Sequence, residues 1–212
     1  MMGPRGHVLC GLGLGERDVR PGLASSQSPA IAPILYYYYL GDLSLHTHPI
    51  SQGNKMLTKS DLKAAIPNLS GQVQIKGLKS QVAVYRDRWG IPHIQAENEL
   101  DAFFAQGFVT AQDRLWHMEF DRLRGSGRWA EVVGGQAVEQ DKQVRRFQLA
   151  RSSKADYEAS SDHTREIFDA YAAGVNAFID GPSPLPAEYR IAGIKPEPWS
   201  SWDGLIIYKI RH

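Results

Sequence analysis

Apolar residues recur along part of this chain with a period of two. Between residues 71 and 96 they alternate with polar neighbours, first around Val73 and then around Val84. Alternation of this kind is typical of strands with one buried face. We predict one strand near Val73 and a β hairpin over residues 81–96, with Pro92 confining the second hairpin strand to an edge or a strand start.

A period of three to four residues dominates the rest of the patterned region and predicts helices. The longest begins at Asn98, a good N-cap residue, and continues to about Leu123. Glycines and prolines after residue 180 predict an extended connector over residues 181–198. The remaining predicted helices cover residues 57–66, residues 163–179 and a segment that starts near Ser200 and Asp203.

The first fifty-five residues show neither period, and we interpret residues 1–55 as disordered or as a mis-annotated N-terminus. The alternating glycines from Gly11 to Gly15 lack the strand and helix context of a phosphate-binding loop. His46 and His48 could offer two imidazoles to a metal ion, but no third ligand lies near them. Regular patterning starts after Met56, which suggests a domain over residues 56–212 and a true start at Met56.

Composition narrows the function class. The chain has 212 residues, 24 basic and 23 acidic, and this balance argues against binding to nucleic acid or to an anionic membrane surface. Its single cysteine, Cys10, excludes an internal disulfide. Prolines interrupt the uncharged stretch over residues 21–41, so we expect no membrane span there. The N-terminal region also lacks the pattern of a convincing signal peptide.

Several residues could carry chemistry. Asp113, His117 and Asp121 lie four residues apart on one helical face and could form a metal site or an acid/base pair, but a solvated face is the favoured interpretation. Ser126 lies between two glycines and lacks a base at a suitable spacing, which favours a helix-terminating loop over a nucleophile. We interpret His93 as a packed or hydrogen-bonded structural histidine and Glu131 as one half of a buried ion pair. These residues form no complete catalytic set. Without a family resemblance, the sequence predicts only an α+β domain, mostly helical with a small β hairpin.

Five ordered sequence blocks resemble the start of penicillin acylases and of the related acyl-homoserine-lactone acylases. They cover about residues 67–210, and their order makes a chance resemblance improbable. The blocks lie at residues 84–94, 111–116, 127–145, 171–177 and 195–203.

The resemblance implies an N-terminal-nucleophile hydrolase that cuts itself into an α chain and a larger β chain, with the whole folded as an αββα sandwich. In that family the first residue of the β chain, usually serine, attacks the carbonyl of an N-acyl amide, and its own α-amino group acts as the base. The substrates implied are of the β-lactam or acyl-homoserine-lactone type.

By this resemblance the chain corresponds to the α-chain region, and the β chain of the same precursor is its expected partner. No catalytic, cofactor-binding or metal-binding residue is carried over onto it, although Ca²⁺ is implied for the full-length enzyme. Gly125 and Ser126 resemble a Gly-Ser cleavage junction, but they lie inside an α-chain block. We therefore expect the natural polypeptide to continue past His212 and this fragment alone to be inactive.

Two points stay open at this stage. The alternative to the enzyme is a non-catalytic binding protein or a decayed gene fragment. The resemblance implies a periplasmic location, but the sequence itself leaves the compartment unknown.

Overall fold

A small sheet and a set of helices make up the two regions that the computed structural model describes, residues 7–11 and 57–212. The strands are β1 (His7–Gly11), β2 (Gly71–Ile75), β3 (Val82–Arg86) and β4 (Pro92–Gln95). They lie in the order β2-β1-β3-β4, with β1 antiparallel to β2 and parallel to β3. The predicted strand β2 and the predicted hairpin of β3 and β4 are confirmed.

Strand β1 lies in the part of the chain for which the sequence predicts no regular element. With only five residues, β1 is too short to show a clear alternation of apolar and polar positions. Its backbone pairing with β2 on one side and β3 on the other defines it as a strand. The glycines that follow Gly11 and the pair His46 and His48 lie outside the described residues.

The described part of the chain contains eight α-helices, so the predicted α+β class with mostly helical content is confirmed. A single 3-10 turn, Gly135–Ala137, separates the third helix from the fourth. The helices are α1 (Lys59–Ala64), α2 (Glu99–Gly125), α3 (Ala130–Val133), α4 (Val138–Phe147), α5 (Leu149–Ala159), α6 (Asp162–Ile179), α7 (Ala187–Ala192) and α8 (Asp203–Arg211).

The start of α2 also fixes the start of the hairpin. The predicted N-cap is confirmed, since the side chain of Asn98 accepts a hydrogen bond of 2.9 Å from the backbone N–H of Asp101. The Asp101 carboxylate is buried and accepts bonds from the backbone N–H groups of Lys79 at 2.9 Å and Ser80 at 2.8 Å. One carboxylate therefore joins the first turn of α2 to the loop that leads into β3.

Helices α2 and α6 approach until their backbones touch. A methyl group added at Gly174 would lie 1.9 Å from the carbonyl oxygen of Phe104, and one at Gly107 would lie 2.0 Å from that of Tyr171. Only glycine permits this approach, because any Cβ would overlap the facing backbone. Buried side chains on both sides of the contact form the core, among them Phe108, Leu115, Met118, Val175 and Phe178.

Helix α2 is kinked at Arg114, whose φ of −151° and ψ of 31° are not helical. Just before the kink, the guanidinium of Arg86 in β3 bonds both oxygens of Asp113, at 2.7 and 3.0 Å, and the side-chain oxygen of Gln112 at 3.0 Å. The first half of α2 is thus tied to the hairpin.

The prediction of an extended connector over residues 181–198 is wrong in its middle, where α7 forms. This helix has six residues and one buried side chain, Tyr189, which packs edge-on against Trp116 with ring centroids 5.1 Å apart. Gly193 ends it in the left-handed conformation. A helix with so few buried residues carries no periodic signal, so tertiary packing defines it.

Candidate functional site

A buried charge cluster connects α2, the connector and α8. The guanidinium of Arg122 donates hydrogen bonds to Glu119 Oε2 at 2.5 Å, to Asp203 Oδ2 at 3.2 Å and to the carbonyl oxygen of Pro198 at 3.0 Å. We call Arg122, Glu119 and Asp203 the Arg122 cluster. Each of the three is at most 6% exposed, so their charges lie in the interior and must compensate one another.

The Arg122 cluster contains two carboxylates and one guanidinium. Burial raises the pKa of the Glu119 carboxyl and that of the Asp203 carboxyl, because one shared cation compensates both incompletely. The guanidinium also stacks over the ring of Trp199, 5.2 Å from its centroid. Asp203 additionally accepts a 2.8 Å bond from the backbone N–H of Ser200. Helix α8 begins close to the predicted start, but its N-cap is Trp202, which makes no side-chain capping bond, so the predicted cap by Ser200 is wrong.

A second arginine links the loop after α2 to the connector. Arg128 donates to both oxygens of Glu131, at 2.9 and 2.8 Å, and to both oxygens of Glu197, at 2.8 Å each. These hydrogen bonds lower the pKa of both carboxyls. The ion pair predicted for Glu131 is therefore present, but the prediction that it is buried is wrong, since the side chain is 52% exposed on the four-residue helix α3.

The connector is also fixed from the side of α6. The side-chain amide of Asn176 accepts a 2.7 Å hydrogen bond from the backbone N–H of Trp199 and donates one of 2.9 Å to its carbonyl oxygen. The amide side chain thus satisfies both backbone polar groups of one residue, as a neighbouring strand would. Trp199 is buried, so the alternative would be two unpaired polar groups in the interior.

The three polar residues predicted to share one face of α2 have different environments. Asp113 pairs with Arg86, and His117 is exposed with its Nε2 atom 3.4 Å from Asp121. Asp121 is buried and accepts a 2.9 Å bond from Arg211 of α8. The interpretation as a wholly solvated face is wrong at Asp121, because α8 packs over that part of the helix.

The remaining sequence candidates show no catalytic geometry. Ser126 is the C-cap of α2, as a helix-terminating loop requires, and no side chain within residues 57–212 hydrogen-bonds its hydroxyl. His93 is exposed, with Nε2 3.4 Å from Asp87. Among the described residues no three carboxylate, imidazole or thiolate side chains are placed to hold a metal ion. None of the described helices is both long and apolar enough to cross a membrane.

Sequence reasoning missed the Arg122 cluster as a unit. The buried partner of Arg122 is Glu119, one turn earlier on α2. A signal was present in the sequence: Glu119 and Arg122 lie three residues apart, between the apolar residues Met118 and Leu123. Charged residues within an apolar stripe indicate a buried pair.

The family model for penicillin amidase matches residues 81–211. This chain belongs to the penicillin amidase family. The matched region starts at the hairpin and includes α2, the Arg122 cluster, the ion pairs of Arg128 with Glu131 and Glu197, and α8.

Curated relatives of this penicillin amidase family member are acylases. It is 46% identical over 157 residues to penicillin acylase 2 proenzyme of Pseudomonas sp. (strain SE83), a match of 73% of this chain and 20% of the relative. It is 36% identical over 162 residues to acyl-homoserine lactone acylase QuiP of Pseudomonas syringae pv. tomato, covering 76% of this chain and 20% of that protein. The chain thus spans about a fifth of the length of these relatives.

A solved structure shares the fold. A thermostable penicillin G acylase from Alcaligenes faecalis superposes with a TM-score of 0.55 and 34% identity, over 60% of this chain and 70% of that chain.

The five sequence blocks that carry the resemblance contact one another in this structure. The hairpin block bonds the second block through Arg86 and Asp113, and the third block bonds the fifth through Arg128 and Glu197. Asn176 of the fourth block holds the peptide of Trp199 in the fifth. The resemblance therefore involves the residues that join the elements of this fold.

Proposed function

We propose that this chain is the α-chain region of an amidohydrolase that removes the acyl group from N-acyl amides. The observation that carries the proposal is the family match over residues 81–211. Within residues 57–212, no serine or threonine side chain is hydrogen-bonded to a histidine. The proposal therefore assigns the nucleophile to a second chain of the same precursor.

The fraction of each relative that this chain covers supports a precursor that is divided into two chains. This chain covers 20% of the curated proenzyme of Pseudomonas sp. but 70% of the chain it matches in the Alcaligenes faecalis structure. A matched chain of that size is far shorter than a proenzyme. This chain would then form part of an αββα sandwich with the second chain.

In the proposed mechanism the second chain attacks the amide carbonyl through its N-terminal serine, with the free α-amino group as the base. The acyl group passes to the serine oxygen, the amine leaves with the transferred proton, and water then releases the acid. The described residues of this chain contribute rigidity: the Arg122 cluster and Asn176 fix the connector and α8 relative to α2. A penicillin-type side chain and an acyl-homoserine lactone are the two substrate classes to test, since relatives carry both names.

Reconstitution tests the proposal. The chain is co-expressed with the part of the Pseudomonas sp. proenzyme that lies C-terminal to the matched region, and hydrolysis of a chromogenic acyl anilide is measured. We expect turnover only when both polypeptides are present. The isolated chain should bind a hydrophobic dye, and complex formation should reduce that binding, because an interface is then covered.

Three results would contradict the proposal. Hydrolysis by the isolated chain would place a nucleophile within it. A complex without hydrolysis would favour a non-catalytic binding protein. Absence of any complex would favour a decayed gene fragment.

A further inference from the structure

The turn of the hairpin is held rigidly by its own hydrogen bonds. The backbone N–H of Asp87 donates to the carbonyl of Ile91 at 3.1 Å, and that of Gly90 donates to the carbonyl of Asp87 at 2.9 Å. The Asp87 carboxylate accepts from the backbone N–H groups of Trp89 at 2.8 Å and Ile91 at 2.9 Å. Gly90, with a φ of 79°, supplies the left-handed residue that closes this three-residue loop.

Two large apolar side chains project from this rigid turn into solvent. Trp89 is 74% exposed and Ile91 is 54% exposed. The guanidinium of Arg88 lies 4.9 Å from the Trp89 ring centroid and restricts the indole further. An ordered, exposed tryptophan loses little conformational entropy when it is covered, so its burial in a contact is strongly favourable.

The turn continues into β4, whose outer side pairs with no strand among residues 7–11 and 57–212. In the described part of the sheet β4 is the last strand, and it pairs with β3 in the register Tyr85 to His93. Since Asp87 bonds Ile91, alternation makes His93 and Gln95 the residues whose backbone groups face β3. The backbone N–H of Ile94 and its carbonyl oxygen therefore point away from β3.

A groove lies beside this strand. It has a volume of about 390 Å³ and lies between β4 and the first half of α2. Most of its lining is apolar, and Gln106 and Thr110 are the polar residues on its wall. The apolar lining residues are Pro92, Ile94, Ala102, Phe103 and Val109. We call this groove, together with β4, Trp89 and Ile91, the hairpin edge.

We propose that the hairpin edge is the docking site for an extended segment of the second chain of the precursor. The inference rests on the proposed function and adds the location of the contact. The occupant follows from two observations: about four fifths of the relatives' length lies outside the region this chain matches, and the hairpin edge offers what an added strand needs. The backbone groups of Ile94, which pair with no other residue in the described part of the chain, would bind the segment, and the apolar groove would accept alternate side chains.

Two variants test the two parts of this contact. Trp89→Ala removes the exposed ring, and Ile94→Pro removes the outward N–H while leaving the bonds toward β3 in place. Phe147→Ala is the matched control, since Phe147 is 68% exposed on α4 and outside the hairpin edge. Circular dichroism of each variant checks that it folds like the parent chain.

The measurement is the dissociation constant between the chain and the C-terminal part of the Pseudomonas sp. proenzyme, determined by biolayer interferometry. We expect Trp89→Ala to weaken binding by at least about 30-fold, as for a central aromatic contact, and Phe147→Ala to change it less than about threefold. Ile94→Pro should weaken binding by about tenfold because one backbone hydrogen bond is lost.

The outcomes separate the two proposals. If the parent chain binds and both hairpin-edge variants bind equally well, the hairpin edge is not the docking site, although the proposed function stands. If the parent chain does not bind at all, the proposed function fails. If sedimentation shows a dimer of the chain that Trp89→Ala dissociates, the occupant is a second copy and the assignment to the second chain is overturned.

Discussion

Replacing Arg122 by methionine is the most direct test of the Arg122 cluster. Methionine keeps much of the side-chain volume but removes the guanidinium from Glu119 and Asp203, which leaves two buried carboxylates without a cation. Breaking a buried pair in this way costs about 3–5 kcal/mol. In a chain of this size that corresponds to a fall in melting temperature of about 6–20 °C.

The loss should depend on pH with a defined sign. Without Arg122 the pKa values of Glu119 and Asp203 rise further above those of the unfolded chain. A raised carboxyl pKa costs no stability below the unfolded pKa, and the cost becomes complete once the pH exceeds the folded pKa. Lowering the pH from 8 to 5 should therefore relieve Arg122→Met by about 1.4 kcal/mol per pH unit for each carboxyl that is protonated in the folded state.

The assay is urea unfolding followed by tryptophan fluorescence at pH 5 and pH 8, with Arg128→Met as the control. Arg128 lies about one-third exposed and its partners are about half exposed, so its loss should cost at most about 1 kcal/mol. Combining Arg122→Met with Glu119→Gln and Asp203→Asn should restore much of the stability, because no buried charge is then left unpaired. Equal losses for Arg122→Met and Arg128→Met, without dependence on pH, would refute the reasoning.

Two further predictions concern packing and titration. Gly174→Ala should cost about 3 kcal/mol of stability or more, because its methyl group would overlap the backbone of α2, whereas Gly204→Ala has open space and should stabilise α8 by up to about 1 kcal/mol. Thermal unfolding of both variants measures the difference, and a Gly174→Ala protein as stable as the parent would contradict the close approach of α2 and α6. Because burial raises the pKa of Glu119, the free energy of unfolding should fall as the pH rises from the ordinary glutamate range through the folded pKa. Glu119→Gln should make this fall shallower when urea unfolding is compared at pH 5 and pH 8. Parallel pH profiles for the two proteins would exclude Glu119 as the titrating group.

The sequence predicts those elements whose own residues carry a strong pattern. The hairpin, the long helix from Asn98 and the helix starting at residue 162 were all predictable, because each buries one regular face or has a clear cap. Helices α4 and α7 were not, since each buries only one or two residues and is defined by the elements around it.

The candidate site was less predictable than the fold. Arg122 and Asp203 are 81 residues apart, and their contact depends on how α8 packs on α2. The local pair of Glu119 and Arg122 left a signal in the apolar stripe, but no pattern indicates that both carboxylates are buried around the same guanidinium. Glu131 shows the opposite case: the pairing follows from charge, whereas its exposure follows from the short helix that carries it.

The kink at Arg114 divides α2 into two halves that meet near its middle. The hairpin edge lies beside the first half of α2. The Arg122 cluster lies on the second half, which extends about 16 Å from Arg114 to Gly125. A rotation of about 10° at one residue would move the far end by roughly 3 Å, with the hydrogen bonds inside each half intact. Substitutions that change φ and ψ at Arg114 would therefore reposition α8 and the connector relative to the hairpin without changing a residue in either.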